Sequence, residues 1–290
     1  MSRGDLAATR RRYAEMMTGA VPHADPRLCA AFAAVPRENF AGPPPWTLFG
    51  VANRPLRAED PVDLYQDALI RLDADKGLNN GSPSLHAAML DLLGVQPGDH
   101  VLHVGAGGGY YTALLAELTG PGGAVTAVEF DRRLAEMARE NLRRWPWVRL
   151  EQGDGAAYPG ATTQRIYANF ALADPADRWL DQLAVGGRLV FPLGVADPRA
   201  RGAQSKHSAR AAVLAVTRTQ GGYAARFDGP VSFVSAEGAT LGDADTRAAL
   251  FEAFGRGGLD AVRSLRRGPG PAGRTWFSSP HWSLSVDPPA

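Results

Sequence analysis

The sequence predicts an α/β fold, a mostly parallel sheet with helices on both faces, and three stretches carry that prediction. In the first, Val101-Leu-His-Val104 reads as a short apolar strand and Gly105-Ala-Gly107-Gly-Gly109 as a turn with glycine at alternate positions; Tyr110 to Leu118 then has the apolar spacing of a helix. In the second, Ala124-Val-Thr-Ala-Val-Glu129-Phe130-Asp131 reads as a buried strand ending in carboxylates. In the third, Val148-Arg-Leu-Glu-Gln152 runs into Gly153-Asp154-Gly155. A strand that stops at a glycine turn leaves main-chain N–H groups and a positive helix end facing a crevice, where glycine lets a ligand touch the backbone. An acid after the second strand can accept hydrogen bonds from both hydroxyls of a ribose. Asp154 is placed to take the exocyclic amine of an adenine, so three strand ends converge on an adenosine.

Dinucleotide folds share the first two of these features, but their fingerprint is GxGxxG. Here the spacing is GxGxG and Tyr110 stands where the last glycine would be. A lone turn of this type is often only a tight turn; three features in order are not. The set resembles class I S-adenosylmethionine methyltransferases, which implies a Rossmann-like methyltransferase sheet and ranks S-adenosylmethionine ahead of NAD. The cofactor-binding residues so implied are Gly105, Ala106, Gly107, Gly109 and Tyr110 at the turn, His103 in the strand before it, and Glu129 and Phe130 after the second strand. Asp154 and Gly155 follow the third strand, and Asn169 stands near the end of a fourth, Arg165-Ile-Tyr-Ala168.

Composition narrows the remaining classes. The 290 residues are 45% hydrophobic and 21% charged, ordinary for a globular protein, and suffice for one large α/β domain with additions or for two small domains. A formal charge of +1 gives no strong field toward nucleic acid or membrane. One cysteine, Cys29, excludes an internal disulfide and a thiolate metal cluster; within Leu28-Cys-Ala-Ala-Phe32 it is expected to be buried. No stretch has the apolar length of a transmembrane helix and the first residues lack a signal-peptide core, so the expected location is cytoplasmic.

Toward the N-terminus, Leu6 to about Gly19 reads as an amphipathic helix with Leu6, Tyr13, Met16 and Met17 available for burial and Arg10, Arg11 and Arg12 on a solvated face. A second helix, Arg27 to Ala34, is stopped by Val35-Pro36. The prolines of Gly42 to Val62 predict a surface loop or flap, in which Trp46, Phe49 and Leu56 need cover from the body or wall an acceptor site.

Two signatures flank that loop. Val35-Pro-Arg37-Glu38-Asn-Phe40 and Leu64-Tyr65-Gln-Asp67-Ala68 are similar to segments of the protein-L-isoaspartate O-methyltransferase family, as are Gly94-Val-Gln-Pro-Gly-Asp99 and Gly186-Gly-Arg-Leu-Val-Phe-Pro192-Leu-Gly194. The resemblance covers roughly residues 28 to 235. It implies an active-site loop at Leu78-Asn79-Asn80-Gly81-Ser82-Pro83, where the family has Thr-Ile-Ser-x-Pro. With the prolines aligned, Gly81 replaces the family serine and Ser82 follows one place later; Asn80, Gly81 and Ser82 are the residues so placed near the cofactor or acceptor, and His86, one turn into the next helix, reads as a structural histidine or a catalytic one. Ser84 reads equally as a helix cap. A second departure is His103, where the family has an acid toward the methionyl amino group: neutral imidazole does not match that charge, and imidazolium repels it.

Beyond the fifth strand, residues 196–208 are polar and expected to be mobile. Ala211–Thr217 and Tyr223–Phe227 read as an antiparallel pair and Asp243 to Arg267 as a region with a helix pattern, while Val231-Ser-Phe233-Val234 is similar to the family's final strand segment, which implies a last strand there. Arg263, Arg266, Arg267 and Arg274 read as surface charge. The expected division is an N-terminal helical cap with a Pro-rich loop over 1–76, a cofactor domain over 77–195, and a β-rich completion and extension over 196–290.

The resemblance implies transfer of a methyl group to an aspartyl or isoaspartyl carboxylate of a protein or peptide. A carboxylate is ionised at neutral pH and needs no base, which suits a chain without a Ser/His/Asp or metal-ligand constellation. A small-molecule hydroxyl or amine acceptor would need a base, for which His86 is the candidate. A cofactor-binding module without turnover is the third reading.

Overall fold

The computed structural model describes residues 3–50 and 55–289, and the chain forms two compact units, residues 1–153 and 154–290. In the first, helices α1 (Arg3–Gly19) and α2 (Pro26–Ala34) pack together, burying Tyr13, Ala14 and Met17 of one and Leu28, Ala31 and Phe32 of the other. Asp25 caps α2 by accepting from the Arg27 N–H, with Pro26 at the first helical position, where a missing N–H costs nothing. Two expectations change here: Met16 is 52% exposed because it falls on the polar side of α1, and Cys29 is only half-buried.

The proline-rich stretch is not a loop. Strands β1 (Trp46–Phe49) and β2 (Pro55–Ala58) form an antiparallel hairpin with Trp46 opposite Ala58, and the tip, 51–54, lies outside the described residues. β1 also pairs with β3 (Leu69–Asp73), which pairs with β4 (Leu78–Asn79), giving the order β2-β1-β3-β4. Alternate residues explain it: Trp46 and Leu48 share one face with Ala58, Leu64, Ala68 and Ile70 in a buried cluster, while proline is confined to the ends. Trp46 is thus covered by the unit's own core, Phe49 lies under the Arg71 guanidinium at 4.7 Å, and Leu56 is 54% exposed.

Helix α3 (Pro83–Leu93) starts at a Ser82 cap and ends at Gly94 in the left-handed conformation. Then β5 (His100–Val104), α4 (Tyr110–Thr119), β6 (Ala124–Glu129), α5 (Arg132–Asn141) and β7 (Val148–Gln152) alternate as the sequence predicts, and the three strands are parallel, with Val101 opposite Val125 and Val125 opposite Val148. Parallel strands buried on both faces need continuous apolar runs, and Val101, Leu102, Val104, Val125, Ala127 and Val128 are all buried.

In the second unit, β8 (Thr163–Ala168), α6 (Asp177–Gln182) and β9 (Leu183–Val195) form a parallel pair of strands with a helix between them. The rest is antiparallel: β10 (Arg210–Arg218) and β11 (Tyr223–Pro230) follow, then helix α7 (Ala244–Arg256), β12 (Ser264–Arg267), β13 (Thr275–Ser278) and β14 (Trp282–Ser285), in the order β13-β14-β12-β11-β10-β9-β8. The last strand expected at Val231–Val234 does not form. Pro230 ends β11, and the next main-chain groups pair singly, with Phe233 exchanging bonds with Ser208 and the Val234 carbonyl accepting from Ala171. Arg267 bonds Asp177 and Asp181, Arg274 bonds Asp287, Arg266 lies 4.0 Å from Asp287, and Arg263 donates to the Asp260 and Val262 carbonyls, so all four arginines are tied locally.

Candidate functional site

The glycine turn between β5 and α4 is built by close approach. Gly105 and Ala106 both donate to the Val128 carbonyl of the neighbouring strand, at 2.9 and 3.1 Å. Gly105, Gly107 and Gly109 have φ of 82°, 55° and 94°, a region that side-chain-bearing residues rarely enter. Gly108 is required for another reason: a Cβ there would stand 2.8 Å from the Phe40 carbonyl oxygen and 3.2 Å from Met137 Cε.

Glu129 closes the turn from the end of β6. Its Oε2 accepts from the Gly107 N–H at 2.6 Å and its Oε1 from the Asp131 N–H at 2.9 Å. The residue is buried, and burial raises its pKa above the ordinary value against the opposing pull of those amides. A carboxylate has about four acceptor positions, so two main-chain donors leave capacity for a pair of vicinal hydroxyls. Phe130 beside it is 48% exposed, with its carbonyl held by Gln152 Nε2 at 3.0 Å.

One wall of this crevice was not legible in the sequence. The end of β3 lies against the glycine turn, with Leu72 Cδ1 3.6 Å from where a Gly107 Cβ would stand. Arg133 of α5 donates to the Leu72 carbonyl at 2.9 Å and to Asp73 at 3.1 Å, and Lys76 forms an ion pair with Asp131, whose pKa it lowers. No periodicity marks a pairing between positions some sixty residues apart.

The segment before α3 brings Asn79, Asn80, Gly81, Ser82 and His86 together. Asn80 Oδ1 accepts from the Ile70 N–H at 2.7 Å, so its side chain extends the pairing of β3. Asn79 Oδ1 accepts from the Gly81 N–H at 2.8 Å. Asp67 gathers both serines, accepting from Ser82 Oγ at 2.8 Å and from Ser84 Oγ at 2.5 Å; Ser82, not Ser84, caps the helix. His86 is buried, with its ring stacked on Tyr111 at 3.7 Å between centroids. Burial, with His103 and Arg37 adding, lowers its pKa well below the usual histidine value and keeps it neutral.

His103 and Tyr110 turn into the core. His103 Nδ1 lies 2.8 Å from the Thr112 hydroxyl of α4, and burial lowers its pKa to about 3, so imidazolium is not present at neutral pH. The repulsion considered from sequence therefore does not arise. The Tyr110 ring is buried edge-on against Phe32, Phe40 and Tyr111. Behind it Arg37, fully buried, donates to the carbonyls of Leu64, Gln66 (2.9 Å) and Ala68 (2.5 Å), stapling the chain that carries Asp67. Sequence reading placed Arg37 and Asp67 in family signatures without assigning either a task.

In the second unit, Asp154 Oδ1 accepts from the Ala156 N–H at 2.9 Å and Oδ2 from the Ala239 N–H at 3.1 Å. Gly155 is buried and its carbonyl accepts from Trp179 Nε1 at 3.0 Å; Asn169, just past β8, is half-buried. Among the described residues no His, Cys, Asp and Glu cluster could hold a metal, and no helix is long and apolar enough to cross a membrane.

Comparison with known proteins agrees with this architecture. Residues 19–220 match the family model described as protein-L-isoaspartate(D-aspartate) O-methyltransferase. A protein-L-isoaspartate O-methyltransferase of Aeropyrum pernix is 40% identical over 59% of this chain and 61% of its own length. One of Methanopyrus kandleri is 38% identical over 46% of this chain and 62% of its own length, and one of Gloeobacter violaceus 32% identical over 71% and 87%. The matched segment thus spans about three fifths of the first two relatives' lengths. Among solved structures, a protein-L-isoaspartate O-methyltransferase superposes with a TM-score of 0.65 at 19% identity, over 96% of this chain and 88% of that one. A putative enzyme of the same name from Plasmodium falciparum, in complex with S-adenosyl-L-homocysteine, gives 0.59 at 17% identity over 79% and 98%. At such identities the superpositions speak for the fold, which is the Rossmann-like methyltransferase fold expected from the sequence. With its family model matched from residue 19 to residue 220, the chain belongs to the protein-L-isoaspartate(D-aspartate) O-methyltransferase family.

Proposed function

We propose that the protein is an S-adenosylmethionine-dependent methyltransferase acting on an aspartyl- or isoaspartyl-type carboxylate in a protein or peptide. The observation that carries the reading is Glu129, a buried carboxylate at a strand end that organises the glycine turn and keeps acceptor capacity for a ribose. The donor set fits an adenosine: main-chain amides at the turn, Glu129 for the hydroxyls, and the exposed Phe130 ring as an apolar flank. Asp154 is assigned to the adenine amine on its sequence position. S-Adenosylmethionine, when bound, supplies a methyl group activated on a sulfonium.

What the chain contributes is alignment and exclusion of water. The end of β3, tied by Arg133, packs against the glycine turn through Leu72, Lys76 of the following turn pairs with Asp131, and Asp67 and Ser82 fix the start of α3. An ionised acceptor carboxylate needs no proton removed, so it makes no demand on His86 and His103, which burial holds neutral. The test is incubation with methyl-labelled S-adenosylmethionine and matched peptides containing isoaspartate or aspartate. Label released by mild base supports an ester, a base-stable product points to a hydroxyl or amine acceptor, and binding without transfer points to a module without turnover.

A further inference from the structure

One residue before α3 is held from three directions. The Gly81 N–H donates to Asn79 Oδ1 at 2.8 Å, and the Gly81 carbonyl faces the Tyr111 hydroxyl at 3.5 Å. On its third side is the edge of the His86 imidazole: a Cβ at position 81 would fall inside contact distance of Nε2, 2.8 Å from Cδ2 and 3.4 Å from Cε1. The backbone there is left-handed, with φ of 74°. His86 has little room to yield. Its ring is 1% exposed and lies nearly parallel to Tyr111, at 15°, and its helix is pinned one turn earlier where Asp67 holds Ser82 and Ser84. A side chain at position 81 is therefore excluded twice, by the dihedral and by the imidazole.

We propose that His86 is a positioning residue that determines how the acceptor is met: paired with Gly81, its ring fixes segment 79–82 so that position 81 presents bare main chain and cannot carry a hydroxyl. The pair reads as one unit, a ring where another chain could place a side chain and a glycine that makes room for the ring. The two hydroxyls the segment does own, Ser82 and Ser84, are committed to Asp67 and to the helix start. The acceptor part of this inference rests on the carboxyl-methyltransferase reading; the coupling of 81 to 86 stands without it.

Two measurements test the two parts separately. Urea unfolding of the wild type, Gly81→Ser, His86→Ala and the double variant forms a cycle in which the dihedral strain of serine is common to both arms and cancels. The expected coupling is about tenfold or more in the unfolding equilibrium constant, with serine better tolerated once the ring is gone; additive effects overturn the pairing. For the acceptor, His86→Ala is expected to raise KM for an isoaspartyl peptide about fivefold or more while the Kd for S-adenosylhomocysteine stays the same. His86→Gln, planar and non-titrating, is expected to retain both KM and the pH profile. Loss of kcat together with loss of the wild type's acid limb in His86→Gln would make the histidine a base and overturn the positioning role. A wild type that transfers nothing to the peptide would defeat the acceptor reading, and the unfolding cycle would still decide the pairing.

Discussion

The Gly107 N–H donates to the Glu129 carboxylate at 2.6 Å, so the glycine turn and the acid after the next strand form one structure before any ligand arrives. The turn is thereby preorganised, and burial raises the Glu129 pKa above the ordinary glutamate value. A protonated glutamate would lose acceptor capacity. Affinity for S-adenosylhomocysteine is therefore expected to decline on acidification, beginning at a higher pH than the ordinary glutamate value of 4.5 would set. Calorimetric titrations from pH 7.5 down to 5 check this, and a pH-independent affinity that also survives Glu129→Ala would contradict it.

Gly108 is constrained by the Phe40 carbonyl rather than by a ligand. Gly108→Ala must push α4 or the Phe40 segment aside, at a cost of about 1–3 kcal/mol. Chemical denaturation checks it; a variant of unchanged stability would mean the contact relaxes freely.

Arg37 is buried with its guanidinium on three carbonyls and over the Tyr13 and Tyr110 rings, at 5.7 and 6.0 Å. Lysine cannot reproduce that fork. Arg37→Lys is expected to destabilise the protein by about 2–4 kcal/mol and to loosen residues 64–68, with hydrogen exchange reporting the loosening.

His86 and His103 are both neutral in the folded protein because burial lowers their pKa values, that of His103 to about 3. Unfolding returns each to about 6.5, so the unfolded chain binds more protons between those values. Stability is then complete above about pH 6.5 and falls as pH drops toward 3, with uptake of up to about two protons on unfolding near pH 5. The urea midpoint measured between pH 7 and 5 checks the sign, and His103→Asn is expected to reduce the uptake by about one.

The parallel core was legible because its signals are local and repeated: a buried strand must be apolar throughout, a sharp turn into a helix needs glycine, and a strand-end acid stands out against both. The turn at Gly105 and Gly107 and the acid Glu129 that bonds it were readable on those grounds. The Trp46–Ala58 hairpin was hidden because its prolines, which read as loop signals, sit at strand ends where they break no ladder. The β3–β4 wall depends on Lys76 meeting Asp131 and Arg133 meeting Asp73, contacts between distant positions that no spacing records. His86 was visible as a lone histidine, but its relation to Gly81 appears only when the missing Cβ is placed in space. In the second unit Val231–Val234 resembled the family's final strand segment, and Phe233 exchanges its main-chain bonds with Ser208 instead.

The central claim is that Glu129 and the glycine turn grip an adenosine. Calorimetric titration of S-adenosylhomocysteine into the wild type and Glu129→Gln tests it most directly. The expected result is one-to-one binding to the wild type and about tenfold to hundredfold weaker binding to the variant, the worth of hydrogen bonds to a charged acceptor. No binding to the wild type, or equal affinity in both, would contradict it.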